Sequence, residues 1–445
     1  MKNKSTRKEF INKMGALSAG LTFGVPLIAG SKKYLKPAVL GGATNYKFEF
    51  PKWPIFGVPE QEGLTDVLNS GQWGRLAKNT KTEKFERSYE AITGAKHALA
   101  LSSGTTALVS MLGALKIGPG DEVIIPPYTF IATYNAIAMH YALPVFVDTD
   151  IESFQIDARK IKHAITGNTK AIMPVHIGGS PFDVDKVLTI ANQYNLPVIE
   201  DACQAHLAEW KGKCVGNWGI GGAFSFQASK NLNAGEGGAV ISNNTDFYQN
   251  CVAFHHQGQS SNTAGLGTGA GTRGANFRLT EFQSTILLAQ MTRLKVQSER
   301  RWENAQYLTN MLKEIPGIKP AKLYPGTTKS AFHLYMFRFN EKEFGTTRQK
   351  FIKALSAEGL VASSGYDKIN KGSFVSNLAK DRHYLKIYGE KRMKQWLEQN
   401  RNTPANDRLT EEAVWFLQTT LLGTKSQMEQ IVDVIKKIRN NVSKL

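Results

Sequence analysis

A chain of 445 residues is long enough for two domains with their own cores, and 42% hydrophobic against 21% charged residues is the balance of a globular protein, not a disordered one. The formal net charge of +18 admits anionic partners, but no compact basic run is interleaved with aromatics, which argues against nucleic-acid binding. The three cysteines, Cys203, Cys214 and Cys251, lack metal-type spacing and cannot all pair, which argues against a metal site and a disulfide framework.

The chain opens basic and turns apolar from Met14 to Gly30, the order of an export signal. The stretch Thr6-Arg7-Lys8-Glu9-Phe10-Ile11 is similar to a twin-arginine signal with Lys in the second Arg position. Residues 1–35 are therefore expected to direct export to the periplasm; an amphipathic N-terminal helix or an uncleaved anchor is the alternative reading of the segment, and a cytoplasmic location the alternative to export. Glycines and a proline interrupt the apolar run, so no stable membrane span is expected. Residues 36–75, rich in aromatics and turns, read as an N-terminal arm ending in Ser70-Gly71-Gln72-Trp73-Gly74.

From residue 76 short apolar runs alternate with helical patterns. The helices are expected at Lys81–Thr93, Thr106–Ile117, Phe130–Tyr141, Asp157–Ile165 and Asp183–Tyr194. The strands are expected at 98–101, 122–125, 144–147, 171–175 and 197–200, then at 223–226 and 239–242. Near-continuously apolar strands separated by helices predict an α/β fold, a mostly parallel sheet covered on both faces, over residues 76–295. Residues 296–445 read as a smaller α+β domain with a basic insertion near 366–406.

Ligands of such sheets bind at the carboxyl ends of the strands, and four stretches lie there. Ser102-Ser103-Gly104-Thr105-Thr106 opens a helix and offers phosphate donors, although plain N-capping explains the same residues. Phe130 follows a strand that ends at Pro126-Pro127 and could stack on a flat ring or simply fill the core. Glu200-Asp201 ends a Val-Ile strand, where a carboxylate needs a cationic partner. Lys230 follows the strand Ala223–Phe226, where desolvation lowers an amine's pKa and frees it for Schiff-base chemistry. Together these are the parts of a pyridoxal 5'-phosphate site: an amine for the aldehyde, a carboxylate for the ring nitrogen, phosphate donors and an aromatic wall.

In that order of motifs the chain resembles the DegT/StrS family of pyridoxal phosphate sugar aminotransferases. The resemblance rests on Ser103-Gly104-Thr105-Thr106-Ala107-Leu108, Pro126-Pro127-Tyr128-Thr129-Phe130, Glu200-Asp201-Ala202-Cys203-Gln204-Ala205-His206, the Lys230 segment and Gly274-Ala275-Asn276-Phe277-Arg278. It covers residue 50 to the C-terminus, weakening after about residue 340. It implies a type I aspartate-aminotransferase fold with a seven-stranded large-domain sheet. It also implies a homodimer with shared active sites and transfer of an amino group from glutamate or glutamine to a keto-sugar or keto-cyclitol. By position, Lys230 is the Schiff-base lysine and Asp201 the partner of the ring nitrogen. Gln204 bonds the ring hydroxyl, Phe130 stacks, and Gly104, Thr105 and Ser225 hold the phosphate. Asn276 reaches the phosphate of the neighbouring subunit. A related branch with His in place of Lys230 performs dehydration, so the lysine argues for amino transfer. Leu421-Leu422-Gly423 resembles the branch that aminates inososes and aromatic precursors.

The chain departs from the family at Gly365-Tyr366-Asp367-Lys368, and the basic stretch that follows reads as a solvated face or as a contact for an anionic substrate. Elimination on the same scaffold, or a sensor that keeps the cofactor fold without turnover, are the competing readings.

Overall fold

The seven expected strands of the large sheet are His97–Leu101 (β1), Glu122–Ile125 (β2), Leu143–Phe146 (β3), Thr169–Ile172 (β4), Ile199–Asp201 (β5), Gly221–Ser225 (β6) and Gly238–Ser242 (β7) in a computed structural model. The model describes residues 36–44, 46–259 and 273–445. The expected export signal, 1–35, lies outside the described residues. Among these, no helix is long and apolar enough to cross a membrane.

Ladders and bridges set the strand order β3-β2-β4-β5-β6-β7-β1. β2 pairs in parallel with β3 and β4, and β5 with β6. Parallel bridges Ile172–Val198 and Val175–Asp201 join the two halves. Only β7 runs the other way, antiparallel to β6 and β1. Each strand between β1 and β5 is followed by a helix, among them Gly104–Ala114 (α3), Ala132–Ala138 (α4) and Val184–Gln193 (α6); Lys81–Thr93 (α2) precedes β1. Aromatics of α2 seat it on the sheet: Phe85 meets Phe226 edge-on at 5.3 Å, and Tyr89 meets Phe224 at 5.5 Å.

Most element boundaries shift by one to three residues from expectation, and two of the shifts have a plain physical cause. α3 begins at Gly104, earlier than the expected Thr106, because Ser103 Oγ accepts the Thr106 N–H while Thr106 Oγ accepts the Ser103 N–H, a reciprocal cap. Gly104 and Thr105 thereby enter the first helical turn. β4 stops at Ile172, short of the expected 175, because Pro174 interrupts the ladder before Val175 bridges to Asp201.

The long helix Glu281–Leu312 (α8) leads to an antiparallel sheet of Ile318–Pro320 (β8), Leu334–Phe339 (β9) and Ala413–Leu417 (β10), with β9 in the centre. Its apolar face buries Phe337, Phe339 and Phe416 against the helices Arg348–Ala357 and Lys425–Arg439. The arm adds Tyr46, Phe48 and Phe50 to this core.

The stretch 366–406 folds into helices, of which Arg382–Gln399 lies on the outer edge of the large sheet. Trp396 donates its indole N–H to Pro144 O of β3 at 2.7 Å, Tyr384 its hydroxyl to Ala138 O at 2.9 Å, and Arg392 pairs with the buried Glu122 of β2. Lys380, Arg382, Lys386, Lys391 and Lys394 face solvent.

Candidate active site

At the carboxyl ends of β1, β5 and β6 a cavity of about 520 Å³ opens. Its walls include Lys230, Asp201, Gln204, Ser225, Gly104, Thr105 and Phe130, which come from separate parts of the chain. None of the exposed basic residues of 366–406 lines it. Asn276 does not line it either. Asn276 is exposed, bridges to His256 and takes the Arg278 N–H at 3.4 Å.

The Lys230 turn is tied at the backbone. Phe226 N bonds Gly237 O at 2.7 Å, Ala228 N bonds Gly235 O at 2.8 Å, and Trp53 of the arm donates its indole N–H to Lys230 O at 3.2 Å. Burial lowers the Lys230 pKa from the ordinary lysine value, and the nearby Cys203 and Asp201 oppose that fall without cancelling it. The amine is thus more available as a nucleophile than a surface lysine.

Asp201 ends β5 with its carboxylate buried. Thr133 Oγ donates to its Oδ2 at 2.8 Å, and the Cys203 N–H reaches Oδ1 at 3.2 Å. On the neighbouring position Glu200 is wholly buried. It accepts from His176 Nε2 at 2.9 Å and from the N–H groups of Gly216, Trp218 and Gly219 at 2.7 Å each. Burial alone would raise its pKa, but the hydrogen bonds from His176 and the backbone hold it below the ordinary carboxyl value.

The anion end of the cavity is built by close approach. A Cβ on Gly104 would stand 2.7 Å from Ser225 Cβ and 2.9 Å from Cys203 Sγ, and one on Gly238 would stand 2.3 Å from the Ser103 carbonyl carbon. These glycines let α3 begin directly against β6 and β7. First-turn N–H groups of a helix have no intrahelical partner, so those of Gly104 and Thr105 suit a phosphate, with Ser225 beside them.

Gln204 has its amide orientation settled. Its Oε1 accepts the Gly178 N–H at 2.8 Å, so Nε2 is the donor, and it donates to Tyr366 Oη at 2.8 Å. Tyr366 is clamped edge-on by Trp415 at 4.6 Å and Tyr128 at 5.5 Å, and burial pushes its hydroxyl up to about 12.

Sequence reasoning did not single out Thr133, Tyr366, His333 or Glu236 as cavity residues. Thr129 and Thr133 stand four apart at a helix start, a signal that was readable. Tyr366 and His333 come from beyond residue 330 and announce nothing until the chain folds back.

A buried amine, a carboxylate held by donors, and a helix N-terminus shaped by small residues fit pyridoxal phosphate. With this sheet order they define a pyridoxal phosphate-dependent aminotransferase of the type I fold. The model of the DegT/DnrJ/EryC1/StrS aminotransferase family matches residues 56–435, and the chain belongs to that family. It is 31% identical to L-glutamine:scyllo-inosose aminotransferase of Streptomyces griseus, over 91% of this chain and 98% of that one. It is 31% identical to 3-amino-5-hydroxybenzoate synthase of Amycolatopsis mediterranei, over 87% and 96%. The crystal structure of a 3-amino-5-hydroxybenzoic acid synthase superposes with a TM-score of 0.77 at 31% identity, covering 89% of this chain and 99% of the other.

Proposed function

We propose that this cavity transfers an amino group from L-glutamine, or L-glutamate, to a keto-cyclitol or keto-sugar. The observation that carries it is the lowered pKa of Lys230 in a cavity shared with Asp201. The similarity to an enzyme named for L-glutamine and scyllo-inosose supports the donor and the polyhydroxy ketone.

Bound pyridoxal phosphate supplies the electron sink that makes a substrate C–H acidic. Lys230 would hold the cofactor through its Nζ, and its amine, when free, would be placed to hold and move the proton at the substrate carbon. Asp201 keeps the ring nitrogen protonated, and Thr133 with the Cys203 N–H orients that carboxylate. Gln204 Nε2 has a second hydrogen for the ring hydroxyl. Gly104, Thr105 and Ser225 bind the phosphate, and Phe130 covers the ring face.

The homodimer belongs to the same proposal. Val58 and Leu68 of the helix Val58–Ser70, together with Trp73 after it, remain largely exposed, as does Phe130, which suits a face covered by a second copy. Asn276 would then serve the neighbour's phosphate. Export rests on the basic-then-apolar order of residues 1–35; fractionation that finds only full-length cytosolic protein removes it.

The test is the visible absorption of purified protein. A yellow band that is absent in Lys230→Ala and bleached by L-glutamine supports the reading. A band indifferent to both donors, with ketone products that retain no nitrogen, replaces it with elimination.

A further inference from the structure

His333, at the entry to β9, is 5% exposed and lines the cavity that holds Lys230. Its Nδ1 lies 3.2 Å from Asn231 Oδ1. Asn231 is the residue after Lys230, and its Nδ2 donates to Ala331 O at 2.8 Å. A carbonyl only accepts, so that contact settles which end of the amide is nitrogen. Asn231 Oδ1 therefore faces the imidazole, and Nδ1 must carry the hydrogen between them. The other ring nitrogen, Nε2, has no hydrogen-bond partner among the described residues. Phe332, immediately before, sits at φ 43°, a conformation rare for a bulky residue, which aims the histidine where regular strand geometry would not.

We propose that Asn231 locks His333 as the Nδ1–H tautomer, and that its bare Nε2 accepts the hydrogen of a substrate hydroxyl. The proposal rests on the polyhydroxy-ketone reading above. The cofactor's phosphate and ring oxygen, when deprotonated, are acceptors and do not satisfy this nitrogen; a hydroxyl of a cyclitol or sugar does. Tyr366, whose oxygen already accepts from Gln204, keeps its own hydrogen for the same cavity. An acceptor and a donor in one cavity match a hydroxyl, which is both. The ionisable groups around the imidazole are Lys230, Asp201, Cys203, Glu236 and Tyr366 in the cavity, with His206 and Arg301 nearby. Burial first, then Lys230, His206 and Arg301, hold its pKa well below the ordinary histidine value, so Nε2 stays bare at neutral pH. Asn231 is a positioning residue; His333 touches the substrate.

The experiment is nitrogen NMR of holoenzyme labelled with ¹⁵N-histidine, with His333 assigned by the signal lost in His333→Gln. The expected spectrum shows an unprotonated Nε2 between about pH 6 and 8, moving when myo-inositol, a polyol without the ketone, is added. A protonated Nε2, or no response to the polyol, overturns the proposal whether or not the enzyme turns over. Asn231→Asp keeps the outline, gives up the hydrogen bond to Ala331 O, and sets a carboxylate on Nδ1–H, which favours the imidazolium and turns Nε2 into a donor. Its KM for a keto-cyclitol should rise about tenfold, the loss of one buried hydrogen bond, and recover above the new imidazole pKa, while the KM for L-glutamine moves less. Equal changes in both KM values, at all pH, overturn it. Failure of the wild type to aminate any ketone, with the tautomer as expected and the polyol shift present, counts against the proposed function and leaves the hydroxyl contact standing.

Discussion

Thr133 Oγ lies 2.8 Å from Asp201 Oδ2, and Thr129 Oγ lies 2.8 Å from Thr133 Oγ, so a two-hydroxyl chain from the start of α4 fixes the carboxylate at the end of β5. Two elements far apart in sequence thus set the orientation of one functional group.

Thr133→Val keeps the volume and removes the donor. A hydrogen bond to a charged group contributes about 1.5 kcal/mol or more, so cofactor affinity should fall roughly tenfold. Titration of cofactor-free protein with pyridoxal phosphate, followed at the visible band, measures it; an unchanged affinity means that Thr133 does not support Asp201.

Gly104→Ala places a methyl 2.7 Å from Ser225 Cβ and 2.9 Å from Cys203 Sγ. Cys203 Sγ can rotate away, but Ser225 Cβ and Cα belong to β6, so relief there moves α3 from β6. The expected result is a folded protein with weakened cofactor binding and greater loss of inorganic phosphate competition than of donor specificity. Wild-type affinity in this variant would show that the helix start does not hold the phosphate.

Glu200 has a folded pKa below its ordinary value of 4.5. The sign follows: the folded state binds that proton less readily than the unfolded chain, so the contribution is present above pH 4.5 and is lost as pH falls through the folded value. Glu200→Gln leaves His176 and three N–H groups without their charged acceptor. It should cost about 3 kcal/mol at neutral pH and flatten the acid limb of the stability curve, measured by urea unfolding from pH 7 downward. An acid limb identical to wild type would locate the titration elsewhere.

The homodimer proposed above, with active sites shared between subunits, predicts complementation. Lys230→Ala and Asn276→Ala chains should each be inactive alone. Mixed and refolded together, hybrid dimers carry one site with both residues intact, restoring about a quarter of wild-type sites. No recovery despite hybrid formation would place Asn276 outside the neighbour's site.

Much of the large sheet and its helices was legible because each element carries its own signal. The Ala-Leu and Val-Ile strands have no polar face, α2 repeats Phe85 and Tyr89 on one side, and a single lysine follows an apolar strand. Boundaries were less legible where a cap or a proline decided them, as at Ser103 and Pro174. The segment 366–406 was misleading in one respect: its basic charge drew attention, yet Lys380, Arg382, Lys386, Lys391 and Lys394 face solvent, Arg392 joins Trp396 and Tyr384 in tying the segment to β2, β3 and α4, and its contribution to the cavity is the uncharged Tyr366.

By itself the sequence determined a mostly parallel α/β domain, a lysine and a carboxylate at strand ends, and hence pyridoxal phosphate chemistry, because periodicity and strand-end position are local properties. Tertiary structure alone decided which groups meet them. Thr133 reaches Asp201 across 68 residues of chain, Tyr366 reaches Gln204 across 162, and Asn231 reaches His333 across 102. No local pattern encodes such encounters; the first arises where α4 starts beside the end of β5, the other two when β9 and the chain before β10 close over the carboxyl ends of the large sheet.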